Sequence, residues 1–162
     1  MCQTDVVIRR LDEGDIELVE PLWNALREHH ASVAPELGPP RPRGESWLRR
    51  RAQYEGWLRK AGFMLVAECS DELVGYAMVH PRDGSATWPL SEHAGELETL
   101  SVLPEHRGKG VGSLLLDAVR SQLNALGATE LSLHVVASSD DARRFYERHG
   151  FTTFTLCLSG PV

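Results

Sequence analysis

The sequence predicts an α/β (α+β) fold: a single domain with a mixed, mostly antiparallel sheet and helices on both faces. Three observations carry this. Short β-rich runs and helix-period segments follow one another in the order β-α-α-β-β-β-α-β-α-β. Two of the β-rich runs, residues 63–69 and 73–79, are separated only by the turn-forming triplet Ser70-Asp71-Glu72, so they form a hairpin. The last third repeats a strand–helix pattern, which makes the sheet mixed.

The elements can be justified in order. Residues 6–10 form a short first strand, and Asp12, Glu13 and Asp15 supply capping carboxylates for the helix that follows. Ile16, Val19, Leu22, Trp23 and Leu26 recur there at helical spacing, with Pro21 at an element boundary or a kink. Residues 35–42, with four prolines and a glycine, form a loop between helices. A second amphipathic helix over about residues 44–60 carries Trp47, Leu48, Tyr54, Trp57 and Leu58. After the hairpin, Pro81-Arg82-Asp83-Gly84 ends the pair, and a loop through Pro89 leads to a strand over about residues 96–102. The next helix presents Leu115, Ala118, Val119, Gln122, Leu123 and Leu126 on one broad face, and Gly127 stops it. Leu131, Leu133 and Val135 alternate along a strand. Ser138 or Ser139 caps the following helix, with Asp140 and Asp141 in its first turn, and Gly150 ends it. Residues 151–158 are expected to form a final strand.

Composition narrows the class. A chain of 162 residues is one domain's length, spanning 1–162, with material for one substantial core. With 42% hydrophobic and 25% charged residues it is of the soluble globular type, and no apolar run approaches the roughly 20 residues of a membrane span. Residues 1–5 lack the basic and apolar regions of a signal peptide, so a cytoplasmic location with no membrane partner is expected. Three cysteines are too few for a disulfide framework or zinc knuckle, and Cys69 and Cys157 are expected as small apolar residues within strands. A net charge of −6 argues against nucleic acid as a general partner, because such binding needs cationic surface to displace counterions. One segment departs from this balance. Arg41, Arg43, Arg49, Arg50, Arg51, Arg59 and Lys60 face only Glu45 and Glu55, either as a solvated helix face or as a surface for an anionic ligand.

Chemistry concentrates where the strand over residues 96–102 ends. Arg107-Gly108-Lys109-Gly110-Val111-Gly112-Ser113 crowds three glycines beside two cations and runs into an apolar-periodic helix. A helix start leaves about four N–H groups without intrahelical partners and carries roughly half a positive charge, so it stabilises a phosphate. Glycines let the backbone approach that phosphate. A nucleotide-hydrolase loop would need a hydroxyl residue after Lys109, where Gly110 stands, and a dinucleotide fingerprint would need glycine at Ser113. Arg-x-x-Gly-x-Gly on a strand-to-helix turn remains.

That loop resembles the pyrophosphate loop of the GCN5-related N-acetyltransferase (GNAT) superfamily. The similarity is strongest over residues 96–151. Leu100-x-Val102-x-Pro104-Glu105-x-Arg107-Gly108-x-Gly110-Val111-Gly112 resembles the main acetyl-CoA motif, and Ala142-x-x-Phe145-Tyr146-Glu147-x-x-Gly150-Phe151 resembles the second. Where the family often has asparagine, three residues before the alanine, this chain has Ser139, which can cap a helix or donate to pantetheine. The resemblance implies an acetyl-CoA-dependent N-acetyltransferase with acetyl-CoA as cosubstrate and no metal. It transfers the acetyl group directly to a primary amine, of a small molecule in preference to a peptide or protein. A CoA-binding or sensing protein without turnover is the alternative.

The resemblance also distributes roles. Backbone groups of Arg107, Gly108, Lys109, Gly110, Val111, Gly112 and Ser113 hold the pyrophosphate, with the Arg107 and Lys109 side chains as charge partners. Leu100, Ser101 and Val102 splay at a bulge and pair with pantetheine, Ser139 and Ala142 flank it, and Tyr146 donates a proton to the departing thiolate. Independently of the resemblance, Glu96 and Glu98 stand at alternate strand positions and face one side, where either can serve as general base through water or attract a cationic amine. His134 is expected on a central strand as a core or hydrogen-bonded histidine, and His29-His30 could face the acceptor site without metal-ligand spacing. The resemblance places the acceptor pocket on residues 23–57 and 85–93, and implies a homodimer for which residues 151–158 offer an edge.

Overall fold

In a computed structural model, which describes residues 5–84, 86–87 and 93–162, the sheet grows outward from one hairpin. Strands β2 (Phe63–Cys69) and β3 (Glu72–Arg82) pair through a two-residue turn, Ser70-Asp71, in which both residues have positive φ of 51° and 65°. Such turns match the twist of antiparallel strands, and aspartate tolerates the left-handed region better than most residues. Strand β1 (Val7–Arg10) adds antiparallel to β2, and β4 (Ala94–Val102) adds antiparallel to β3. Strand β5 (Glu130–Leu133) is the one parallel neighbour in the β1-β2-β3-β4-β5 order. The sheet is therefore mixed and mostly antiparallel.

Two cores lie on opposite faces. Helix α1 (Glu20–Val33) and helix α2 (Arg43–Leu58) cover one, burying Leu22, Trp23, Trp47 and Tyr54 against Met64, Val66, Tyr76 and Met78. Helix α3 (Val111–Ala125) covers the other with Val111, Leu115, Leu116, Val119 and Leu123 against Leu65, Ala67, Ala77 and Leu97. Helix α4 (Asp140–Arg148) adds Phe145 and Tyr146 to the same side. Residues 65–67 and 76–78 thus alternate between the two cores, and both central strands read as continuous apolar runs. Pro21 sits in the first turn of α1, where its missing N–H costs nothing, after a 3-10 turn over Glu13–Val19. Gly127 and Gly150, at φ of 79° and 84°, end α3 and α4 as expected.

Three expectations require correction. Strand β3 does not end before Pro81 but continues through it to Arg82, pairing Pro81 with Gly95. From His80 onward β3 has β4 as its only strand partner among the described residues, because the β2 ladder stops at Phe63 and Val79, and proline is tolerated on such an edge. Residues 151–158 form no strand: no strand among the described residues pairs with them, and Phe154, Leu156 and Leu158 are exposed. Alternation alone does not make a strand where no ladder partner accepts it. Cys157 lies on that segment as an exposed free thiol, and Cys69, buried in β2, is disulfide-bonded.

Five of the seven cations of the Arg-rich segment pair with glutamates. Arg41 and Arg49 pair with Glu45, Arg43 with Glu28, Arg51 with Glu17 and Glu55, and Arg50 with Glu98. Between the sheet and α2, the Tyr54 hydroxyl bonds both the Tyr76 hydroxyl at 2.9 Å and Thr99 Oγ1 at 2.7 Å in a fully buried chain. Burial pushes the Tyr54 phenol from 10.0 up to about 12 and Tyr76 well above its ordinary value. Because the folded value is raised, this stability is complete below pH 10 and is lost as pH rises through the folded pKa. Urea midpoints should fall steeply between pH 10 and 12, and Tyr54→Phe, which removes both hydrogen bonds, should cost about 1–3 kcal/mol at pH 7.

Candidate active site

The site begins with an irregularity in β4. Met78 pairs with Thr99 and Val79 with Leu97, so Glu98 is an extra residue, a β-bulge. The bulge turns Glu98 and Thr99 to the same face, where Thr99 bonds Tyr54 and Glu98 bonds Arg50, both on α2. On its other side β4 separates from β5 at the same level. The parallel ladder runs from Ala94 and Glu130 to Leu97 and Leu133 and then stops, leaving the edge of residues 98–102 without a strand partner among the described residues. Leu100, Ser101 and Val102 lie on that open edge. The Ser101 hydroxyl donates to Leu22 O at 3.3 Å, tying the edge to α1.

Beyond Val102 the chain makes a 3-10 turn over Pro104–His106 and enters the glycine loop. Gly108 and Gly110 have φ of 70° and 85°, and a Cβ at either would meet nothing within 4 Å. Their conformation, not crowding, selects glycine, and their surroundings are open on the side where a ligand would lie. The first bond of α3 is Leu114 N–H to Gly110 O, so the N–H groups of Val111, Gly112 and Ser113 precede the helical ladder. Gly112 is different: a Cβ there would meet the Phe145 ring at 3.4 Å, where α4 lies against α3.

Side chains around the loop are only partly as expected. Arg107 Nε donates to Val102 O at 2.9 Å, bracing the strand end, and its charge reaches His29 on α1. Burial, then Arg107, lowers the His29 pKa against an opposing contribution from Asp141, so charges of the loop and of the start of α4 act on α1. The Ser113 hydroxyl contacts His149 Nε2 at 3.0 Å, while His149 Nδ1 donates to Phe145 O at 2.7 Å. Ser113 is thus held to α4 through its side chain, while its backbone N–H stands at the start of α3. Ser139 occupies the cap position of α4 without a side-chain capping bond, and its buried Oγ has no partner. Ala142 is half-buried one turn on. An open strand edge, unpaired helix-start N–H groups and an orphaned hydroxyl fit a ligand with an extended amide arm and a pyrophosphate.

Glu96 and Glu98 are brought together, with a third group that sequence reasoning missed. His80 Nε2 lies 3.5 Å from Glu98 Oε2, and one ligand atom from each of His80, Glu96 and Glu98 falls within 4.8 Å of the others. His80 stacks on Trp57 at 4.4 Å and 7°, and Arg50 lies over Trp23 at 4.5 Å. Expected to end at residue 79, the second hairpin strand left out His80, which β3 carries beside β4. His134 is not on a central strand: it follows β5 at the sheet edge, exposed, with Nδ1 2.9 Å from Glu96 Oε1. Tyr146 packs in the α3-side core against Phe145 and Phe151, and no hydrogen bond or ring contact joins it to Glu96 or Glu98. Burial pushes its phenol well above the ordinary value. Of the segment expected to complete the acceptor pocket, residues 85 and 88–92 lie outside the described residues.

Comparison with known proteins bears on this arrangement. The model of the Acetyltransferase (GNAT) family matches residues 23–151, the whole stretch from α1 to the end of α4. The chain belongs to the GNAT family. Among GNAT relatives, a mycothiol acetyltransferase of Thermobispora bispora is 36% identical over 143 residues, 85% of this chain and 44% of that protein. The chain thus spans less than half of that curated relative. An uncharacterised N-acetyltransferase of Bacillus subtilis, YhfO, is 27% identical over 96% of this chain and 98% of its own length. In fold, aminoglycoside N-acetyltransferase AAC(6')-Iy in complex with CoA superposes with a TM-score of 0.72 at 19% identity, covering 98% of this chain and 95% of that one. No helix among the described residues is long and apolar enough to cross a membrane.

Proposed function

We propose that the protein transfers an acetyl group from acetyl-CoA directly to a primary amine of a small molecule, within a ternary complex. The observation that carries this is the open, bulged edge of β4, with a phosphate-type helix start at one end and two carboxylates at the other. The helix-start N–H groups of residues 111–113 and the cation Lys109 bind the pyrophosphate, and the free edge of residues 100–102 pairs with the amide arm. That places the thioester beside the bulge. A main-chain N–H on this edge stabilises the oxyanion formed on attack. Tyr146, kept protonated by burial, donates to the departing thiolate. Glu96 and Glu98 draw the ammonium form of the acceptor.

Support for a small acceptor comes from relatives named for mycothiol and aminoglycosides. The decisive assay follows thiol release from acetyl-CoA across a panel of amino sugars, diamines, amino acids and N-terminal or lysine-bearing peptides. Turnover with small amines and not peptides is expected. No turnover with any amine despite tight CoA binding would leave a CoA-sensing protein. Tyr146→Phe should lower kcat about 10- to 1000-fold with CoA affinity unchanged, and because its pKa is raised, wild type should show no alkaline limb from this group below pH 10. A homodimer is also part of the proposal, using the exposed, alternating Phe154, Leu156 and Leu158. Sedimentation of the wild type against a chain ending at Thr153, which keeps the packed Phe151, should show a dimer-to-monomer change.

A further inference from the structure

We infer that His80, Glu96 and Glu98 form a three-acceptor cradle for a primary ammonium, and that His80 Nε2 takes the proton which frees the nucleophile. This rests on the acetyltransfer proposed above and deepens it, since it names the base and the number of N–H groups the acceptor must carry.

The tautomer follows from hydrogen bonding. His80 Nδ1 lies 2.9 Å from Pro81 O, and a carbonyl only accepts, so Nδ1 carries the hydrogen. A neutral His80 then presents its lone pair at Nε2, a buried atom with no hydrogen-bond partner, 3.5 Å from Glu98 Oε2. A lone pair facing a carboxylate is unfavourable unless a donor lies between them. One acceptor atom from each side chain falls within 4.8 Å of the other two, with His80 Nε2 and Glu98 Oε2 at 3.5 Å, so a donor entering the cluster meets acceptors of all three.

The charges around it select the base. From α2, Arg50 Nη1 donates to Glu98 Oε1 at 2.6 Å and is itself fixed over Trp23 and Tyr54, so Glu98 is held as a paired carboxylate. From beyond β5, His134 Nδ1 binds Glu96 Oε1. Farther along β3, Arg82 pairs with Glu130. Glu98 is paired with Arg50 and Glu96 with His134, whereas among the described residues His80 Nε2 has no hydrogen-bond partner, so its lone pair is the one left to take a proton from a bound ammonium. Its ring is oriented by the Trp57 stack and the Pro81 carbonyl. In the reaction one N–H bond breaks and its proton passes to His80 Nε2 and then to solvent. The freed pair forms the N–C bond, the C–S bond breaks, and the second proton lost by nitrogen balances the one gained by the thiolate.

The test uses the full chain and the best primary amine from the panel, beside its N-methyl and N,N-dimethyl derivatives. His80→Gln keeps an acceptor but cannot take a proton: kcat should fall about 100- to 10,000-fold, KM for the amine should change less than about fivefold, and the acidic limb of the kcat profile should disappear. Acetyl-CoA affinity measured on the same variant reports that the fold survives. N-methylation should lower kcat/KM about tenfold or more in wild type, because one acceptor is left unpaired. Turnover by wild type together with an unchanged rate and pH profile in His80→Gln would overturn the base while leaving acetyltransfer standing. Activity lost to a chelator and restored by a divalent cation would assign the cradle to a metal instead. Independently of turnover, methylammonium should shift the His80 ring resonances in wild type bound to CoA, whereas tetramethylammonium should not; equal shifts would overturn the cradle.

Discussion

Gly110→Glu is expected to weaken acetyl-CoA binding by at least about a hundredfold while leaving the chain folded. At φ of 85° a side chain costs about 1–2 kcal/mol, roughly tenfold in the population of the loop conformation. The larger effect is charge. A carboxylate at the start of α3 competes for the same N–H groups that the pyrophosphate needs, and repels it. No atom lies within 4 Å of a Cβ there, so packing is not at risk. Gly110→Ala separates the two contributions and should show only the smaller loss. Titration calorimetry with acetyl-CoA measures both, and unchanged affinity in Gly110→Glu would refute the assignment of the loop.

The second large effect is on stability. Gly62→Ala should destabilise the protein by about 3 kcal/mol, lowering the melting temperature by roughly 6–12 °C for a chain of this size. A Cβ at Gly62 would stand 2.7 Å from Trp57 O, 2.9 Å from Trp57 C and 3.0 Å from Val79 O, all backbone atoms that cannot turn aside as a side chain can. Gly62 N–H also donates to Trp57 O at 2.8 Å, closing the end of α2 onto the start of β2. The consequence reaches the site. Widening this junction moves Trp57 relative to Val79 and hence relative to His80, so any folded fraction should show an altered histidine environment. Thermal melts followed by near-UV circular dichroism would register both, and a melting temperature within 2 °C of wild type would contradict the close approach.

How much was legible in the sequence can be judged from particular residues. Periodicity and punctuation placed the helices within a few positions, because Pro21, Gly127 and Gly150 act through local backbone conformation that needs no distant partner. The hairpin at Ser70-Asp71 was legible for the same reason. Pro81 misled, since whether a proline can stay in a strand depends on what lies on its far side, and the β2 ladder ends two residues earlier, at Val79. Residues 151–158 misled in the opposite direction: their alternation is real, but pairing is decided by a neighbour that the segment itself does not encode.

The chain's own order of residues determined the glycine loop, the helix it opens and the membership of a family whose signature is local in sequence. It also put Glu96 and Glu98 on one strand. Only the tertiary structure decided that a bulge at Glu98 would turn that carboxylate toward Arg50, that β5 would leave β4 at Leu97, and that His80 from another strand would close on both glutamates. The physical reason is range. Backbone conformation and helix electrostatics act over a turn or two of chain, whereas a site made of three acceptors within 4.8 Å draws on strand register across β3 and β4, which long-range packing alone sets.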